Sequence, residues 1–463
     1  MAIQSQQRAA LRVPVLLILC GAPFLASLDL LIVNVAFAEI GRSFPGNTLG
    51  EVSWVLNGYA IVYATLLIPA GRYADRVGHR RVFLIGLGLF TVASAVAALS
   101  PSLWALVAFR VLQAAGAAAV TPTSLGLLLH AVSPERRHSA VRIWATSGAV
   151  AASLGPLAGG LLVELSWHWV FLVNVPLGVA LAIGAARTLT DYRDPDDTEG
   201  LDLVGAALLA VGVGALATTL VRGPEWGWTA ASGVTAGVVA VVALGAFALH
   251  NARGRSPLLS RELLRAPGLG WANVVAVLFN ASFAGGILAM ILFLQQGWGY
   301  SPLRTGLAVA SGPMIVPLFA FVGQVMVRRL SEGIVASIGC LLWGAGTLLV
   351  LASVGAEPHY VAAVLPGWLI CGVGVGLALP SILSAATVGL PPARRATGSA
   401  IIGMSRQLGF ALGVALLIAA LGTATTPSDV LDAFGRGWWL MVGVAVLAAL
   451  VSPRLTARTL APA

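Results

Sequence analysis

Residues 71–81 read GRYADRVGHRR, and they lie between two apolar runs, 52–70 and 81–99. Each run is close to the ~20 residues that an α-helix needs to cross a hydrocarbon core of ~30 Å. A basic turn this short, joining two spans, makes a membrane hairpin, and its Arg72, Arg76, Arg80 and Arg81 hold the turn on the cytoplasmic side. Gly71 and Gly78 permit a tight reversal, and Asp75 is the lone acid among the bases.

The rest of the chain agrees with that hairpin. Of 463 residues, 58% are hydrophobic and 10% charged, with a mean hydropathy of +0.91. Soluble domains carry about 25% charged residues, so a soluble fold, a disordered chain and a collagen are all excluded. Cys20, Cys340 and Cys371 sit inside apolar runs and form no disulfide framework. The formal charge of +9 comes from Arg alone, since Lys is absent. These Arg are spread through short loops instead of gathering with aromatics on one face, which argues against nucleic-acid binding.

Fourteen membrane-length runs are predicted: 13–38, 52–70, 81–99, 103–130, 140–163, 169–187, 201–221, 230–250, 269–295, 304–327, 333–353, 359–385, 397–421 and 436–454. All should be helices, because a helix satisfies its own backbone in lipid. With the N-terminus inside, only Arg42, Arg222, Arg304 and Arg436 face outward, and Arg110 and Arg406 lie within spans. Every other Arg is then cytoplasmic, so both termini are expected inside, in a cell (cytoplasmic or inner) membrane. The first run continues through Asp29 and Asn34 and reads as a span, not a signal peptide.

Two internal echoes point to a duplication. GQVMVRRLSEG, with Gly323 and Arg328, repeats the outline of Gly71 and Arg76, although Val327 replaces Asp75. Gly116 and Pro122 on the fourth span are matched by Gly374 and Pro380 on the twelfth. The expected organisation is an amino-terminal six-helix bundle over 1–190, a linker with two inserted helices over 191–265, and a carboxy-terminal six-helix bundle over 266–463. The segment DYRDPDDTEGLD at 191–202 reads as a solvated linker.

GRYADRVGHRR resembles the signature of the major facilitator superfamily between its second and third helices. LDLLIVNVA (28–36), RVLQAAGAAA (110–119), GPLAGG (155–160), WHWVFLVNVP (167–176), GYSPLRTGL (299–307) and SRQLGFALG (405–413) resemble the 14-helix drug:proton antiporter family within it. Ala114 and His168 depart from that pattern, where the family usually has Gly and Arg. The resemblance implies an all-α membrane fold of two six-helix bundles plus two inserted helices. It also implies export of drugs, antibiotics or secreted metabolites by alternating access, driven by protons. The fifth-span pattern, Gly148, Gly155, Pro156, Gly159 and Gly160, marks exporters over uptake symporters in that family.

An intramembrane charge is a functional candidate by default. Asp29 lies about 14 Å and Arg110 about 10 Å from the external face at 1.5 Å per residue, so the two can meet. A carboxylate that pairs with Arg when ionised and releases it when protonated is a two-state element that a proton gradient can bias. A fixed ion pair that only orients two helices is the alternative. Arg406 has no evident acidic partner, so a substrate group, water or helix carbonyls must satisfy it. Asn34, Trp54, Asn57, Gln113, Phe279, Phe283, Arg406 and Gln407 are the substrate-cavity candidates. Trp144, Trp271, Phe293 and Trp343 are further aromatics that could stack on an amphipathic molecule.

Gly71, Asp75, Arg76, Gly78, Arg80 and Arg81 form a candidate conformational latch, in which Asp75 pairs with Arg76 or Arg80 or faces a helix N-terminus of the other bundle. Glu39, Glu164 and Glu225 fall near external ends and read as solvated or interfacial; His130 and His250 read as satisfied structural residues. Neither a metal site, a nucleophile site nor a phosphate loop is legible, so no cofactor is expected and an ion gradient supplies the energy. The expected partners are a small amphipathic substrate, protons and lipid, not nucleic acid, with the monomer as the working unit. An uptake symporter, a membrane-embedded enzyme and a receptor are the competing classes. The last two lack a catalytic constellation and a soluble output domain.

Overall fold

The computed structural model describes residues 13–133, 136–193, 200–227, 229–254, 257–259, 266, 268–390, 395–422 and 427–455. Fourteen of the helices among them are long and apolar enough to cross a membrane. They are α1 (Val13–Ser43), α2 (Leu49–Val77), α3 (His79–Ala97), α4 (Leu103–Ala131), α5 (Arg137–Leu165), α6 (Trp169–Thr188) and α7 (Leu203–Trp226). There follow α8 (Ala231–Arg253), α9 (Leu269–Leu292), α10 (Pro302–Val327), α11 (Glu332–Ser353), α12 (Leu365–Val388), α13 (Arg395–Leu421) and α14 (Pro427–Val451). Arg8, Arg12, Arg255, Arg261, Arg265, Arg394 and Arg458, read above as cytoplasmic, lie outside the described residues.

Helix starts follow their caps. Thr48 and Glu51 form a reciprocal capping box at α2, and the side chains of Ser102, Asp202, Ser301 and Ser331 accept backbone N–H groups at α4, α7, α10 and α11. The basic hairpin turn is tighter than its eleven letters suggest: α2 runs through Val77 and α3 begins at His79. Gly78 alone makes the reversal at φ 114°, a backbone region that other residues enter only with strain. Span six is broken at Val173, where Pro176 withholds the backbone N–H that would bond the fourth residue before it. Span nine ends in a π-helical turn, Phe293–Gly297, and span twelve begins with another, Tyr360–Val364.

The two halves repeat one packing. A Cβ on Gly116 would lie 2.6 Å from Gly86 O and from Phe90 N; a Cβ on Gly374 would lie 2.6 Å from Gly339 O and from Trp343 N. Close backbone approach of α3 to α4 is thus reproduced by α11 and α12, which is how small residues join helices in lipid. The fifth-span glycines divide their work. Gly148, Gly155 and Gly159 face α1, whereas Gly160 faces Pro302, Leu303 and Gly306 of α10 in the other half.

At the end of the bundle where α5 closes and α10 begins the halves are bonded together. Gln295 Nε2, from the π turn, donates to Val35 O at 3.2 Å, and Glu164 Oε1 accepts the Leu303 N–H at 3.1 Å. Glu164, expected to be merely interfacial, therefore caps α10 across the junction, because the Gly160–Gly306 approach brings the two helices within side-chain reach. Helix α7 packs on both α2 and α13, at the seam, while α8 packs on α7.

The described ends of the linker after α6 are hydrogen-bonded to helix starts. Tyr192 O accepts the His79 N–H, Asp191 Oδ1 accepts the Arg80 N–H at 2.9 Å, and Asp202 caps α7. Asp191 and Asp202 are recruited by backbone donors at helix starts, which composition alone does not reveal; residues 194–199 lie outside the described set.

Candidate functional site: a buried charge pair and an unpaired cation

Helices α1 and α4 bring Asp29 and Arg110 together as the depth argument required. Arg110 Nη1 lies 2.6 Å from Asp29 Oδ2, and both residues are 0% exposed. Two amides complete the carboxylate's shell: Gln113 Nε2 and Asn174 Nδ2 each donate to Asp29 Oδ1 at 2.8 Å. Both amides also reach Ser94 Oγ at 3.0 Å. Arg110 Nε donates to Val55 O, and its guanidinium lies 4.1 Å from the centroid of the Tyr59 ring. Breaking such a pair by removing one partner costs ~3–5 kcal/mol, since it leaves an uncompensated buried charge.

Of this shell, the sequence reading named Asp29, Arg110 and Gln113 and missed Asn174, Ser94 and Tyr59. Asn174 was within reach of inference, because it stands two residues before Pro176, at the break that turns it toward α1. Ser94 and Tyr59 carry no sequence signal, since neutral polar residues occur throughout the spans.

Gln113 thus belongs to the ion-pair network. Asn34, Asn57 and Phe279 are also 0% exposed in this conformation and line no open cavity. Phe279 packs edge-on against Trp343, filling core volume between α9 and α11. Asn34 and Asn57 each leave Oδ1 without a partner among the described residues. Trp54, Phe283 and Gln407 are partly accessible, and Arg406 is exposed. The other aromatics are structural: Trp144 donates to Ser124, Phe293 packs on Phe434 and Trp438, and Trp271 lies under the Arg454 guanidinium.

In the basic turn, Asp75 Oδ1 contacts His79 Nε2 at 2.7 Å, a partner the charge-based reading did not name. Arg80 instead donates to Ala186 O, and Arg72 donates to Gly200 O and Pro257 O, the backbone on either side of the inserted helices. One helical turn separates Asp75 from His79, so the short imidazole reaches the carboxylate. His250 is satisfied by Asp202 at 2.7 Å. Burial pushes the Asp202 carboxyl up, but the Gly205 and Leu258 amides and His250 outweigh it and hold it below the usual range.

The model of the Major Facilitator Superfamily matches residues 19–414. The chain belongs to that superfamily. It is 34% identical over 441 residues to the methylenomycin A resistance protein of Streptomyces coelicolor, spanning 94% of this chain and 90% of the relative. It is 34% identical to the multidrug resistance protein Stp of Mycobacterium tuberculosis over 86% of this chain and 74% of that one. The cephamycin export protein CmcT of Amycolatopsis lactamdurans is 31% identical, over 93% and 89%. A solved POT family transporter in complex with a thioalcohol conjugated peptide superposes with TM-score 0.71 at 16% identity, over 96% of each chain, which establishes the shared fold. This superfamily member is a multi-pass membrane transporter and not an enzyme, and its relatives are antibiotic and multidrug resistance exporters.

Proposed function

We propose that this transporter is a proton-coupled antiporter that exports amphipathic drugs, antibiotics or secreted metabolites by alternating access. The observation that carries the reading is the Asp29–Arg110 pair, wholly buried and bonded at 2.6 Å. Protonation of Asp29 cancels the charge that holds Arg110, and the amides of Gln113 and Asn174 can rebond to a neutral carboxyl. Arg110 then keeps Val55 O, Gln113 Oε1 and the Tyr59 ring as partners. Two arrangements of one buried network, selected by a proton, are what a gradient needs to drive a cycle.

The rocking of two bundles about a central site supplies access to each side in turn. Asp75 and the turn around Gly78 latch the cytoplasmic side when the carrier faces outward, with both termini in the cytoplasm and the monomer as the working unit. The names of the relatives support export, as does the Gly148–Gly160 packing of α5.

The test is proton flux in inverted vesicles containing the full chain, challenged with amphipathic antibiotics and dyes. Substrate-dependent dissipation of the gradient is expected for the parent and loss of it for Asp29→Asn, with the variant still folded in the membrane. Normal gradient-driven export by Asp29→Asn would sink the assignment.

A further inference from the structure

We propose that Arg406 is the residue that receives an anionic group of the substrate, so that the molecules carried are amphipathic organic acids. The proposal rests on the exporter reading and narrows it to a charge class.

Arg406 lies eleven residues inside α13, about 16 Å from the nearer helix end at 1.5 Å per residue, so it is a mid-membrane cation. Such a charge is costly unless it is paired or hydrated. Among the described residues Arg406 enters no ion pair and no hydrogen bond; the seven ion pairs of the described set involve other cations. It is nonetheless exposed, although it sits inside the bundle, within electrostatic range of the Tyr63 phenol on α2. A guanidinium that has accessible surface and binds no protein group among the described residues presents five N–H donors to whatever enters, in a fork that fits carboxylate.

The surroundings favour an anion. Asp29, the carboxylate deepest in the bundle, is spent on Arg110, Gln113 and Asn174 and has no accessible surface, so a cationic substrate finds no counter-charge there. Gln407, beside Arg406, leaves Oε1 unpartnered and can accept from a substrate hydroxyl or acid proton. The Tyr63 ring, almost buried, stacks on Tyr59 with centroids 6.0 Å apart and planes 9° from parallel. Tyr59 in turn lies under Arg110. The site of the anion and the proton-binding pair are thus joined by two stacked rings.

The experiment uses the purified full chain in detergent and matched probes: naphthylacetate, naphthylacetamide and naphthylmethylammonium, with decanoate, decanamide and decylammonium as a second body. Calorimetry should show each acid binding at least about tenfold more tightly than its amide, the size of a charge-assisted hydrogen bond. In Arg406→Gln the acid should lose about tenfold or more while the amide changes less than about twofold; Arg406→Lys should keep part of the preference. Because Arg406 has no protein partner to strand, Arg406→Gln should melt no earlier than the parent, so a folding defect does not hide the result.

Equal or tighter binding of the amides or ammonium ions, unchanged acid binding in Arg406→Gln, or no binding of any probe by a cooperatively melting protein overturns the proposal. The exporter reading is judged separately. Proton-driven export of neutral or cationic compounds leaves it standing while this assignment falls, and acid-selective binding with no export does the reverse.

Discussion

The register that lays Gly86 on Gly339 and Gly116 on Gly374 also lays Phe90 on Trp343, Ser94 on Thr347, Arg110 on Trp368 and Gln113 on Cys371. In the amino-terminal half, Ser94, Arg110 and Gln113 surround a buried carboxylate. In the carboxy-terminal half the same places hold a weak Thr347–Cys371 contact at 3.7 Å and a Trp368 indole that donates to Val309 O. One backbone frame therefore carries a buried ion pair on one side and a neutral aromatic core on the other. Backbone packing in lipid depends on small residues at the crossings, and these are kept in both copies. What fills the space beside the crossings is free to diverge, and there function separates the halves.

The sharpest way to break this contrast is to remove the charge from one side. Arg110→Leu should destabilise the protein by ~3–5 kcal/mol, because Asp29 stays buried without its partner. Pairing it with Asp29→Leu should recover much of that loss in thermal melts of the reconstituted protein. Equal damage from the single and double variants would mean that the amides and not the ion pair hold the network.

The frame itself should respond alike in both halves. Gly116→Ala and Gly374→Ala each drive a methyl to within 2.6 Å of backbone atoms. Each should cost ~1–3 kcal/mol by overpacking, measured by chemical denaturation or melting. A large cost in only one half would show that the crossings are not equivalent.

The smallest effect lies outside both bundles. Asp202, held below the usual carboxylate range, contributes stability above its unfolded value near pH 4 and loses it as pH falls through the lower folded value. Asp202→Ala should therefore lower stability by about 1 kcal/mol at pH 7, with the gap to the parent closing below about pH 4. A gap of constant size across that range would assign the cap no ionic character.

The spans were legible because lipid imposes length and composition directly, and all fourteen runs lie on helices, although α2 runs on to Val77 and α14 begins already at Pro427. Asp29 and Arg110 were legible for a related reason: a charge in hydrocarbon must be answered, and only two helices carried opposite signs at matching depth. Asn174, Ser94 and Tyr59 were not, because neutral groups cost little anywhere in a span and only the fold selects which ones converge. Phe279 shows the same limit for aromatics, since core filler and cavity wall have one signature. For Asp75, formal charge drew the reading toward Arg76, Arg80 or a helix N-terminus of the other bundle and passed over His79, one helical turn away and 2.7 Å from the carboxylate.

Among the described residues the inserted pair of helices is hydrogen-bonded to one half only. At one end Arg222 on α7 contacts Glu51 of α2 at 2.7 Å; at the other Arg72 of α2 holds the backbone at Gly200 and Pro257. Toward α13 the described residues of α7 make no hydrogen bond at all, only apolar contact. In mechanical terms α7 is riveted to the amino-terminal body and rests on α13 as on a greased bearing. In the proposed rocking of the two bodies the insert would be carried as a passenger, with the shear taken up along the α7–α13 face.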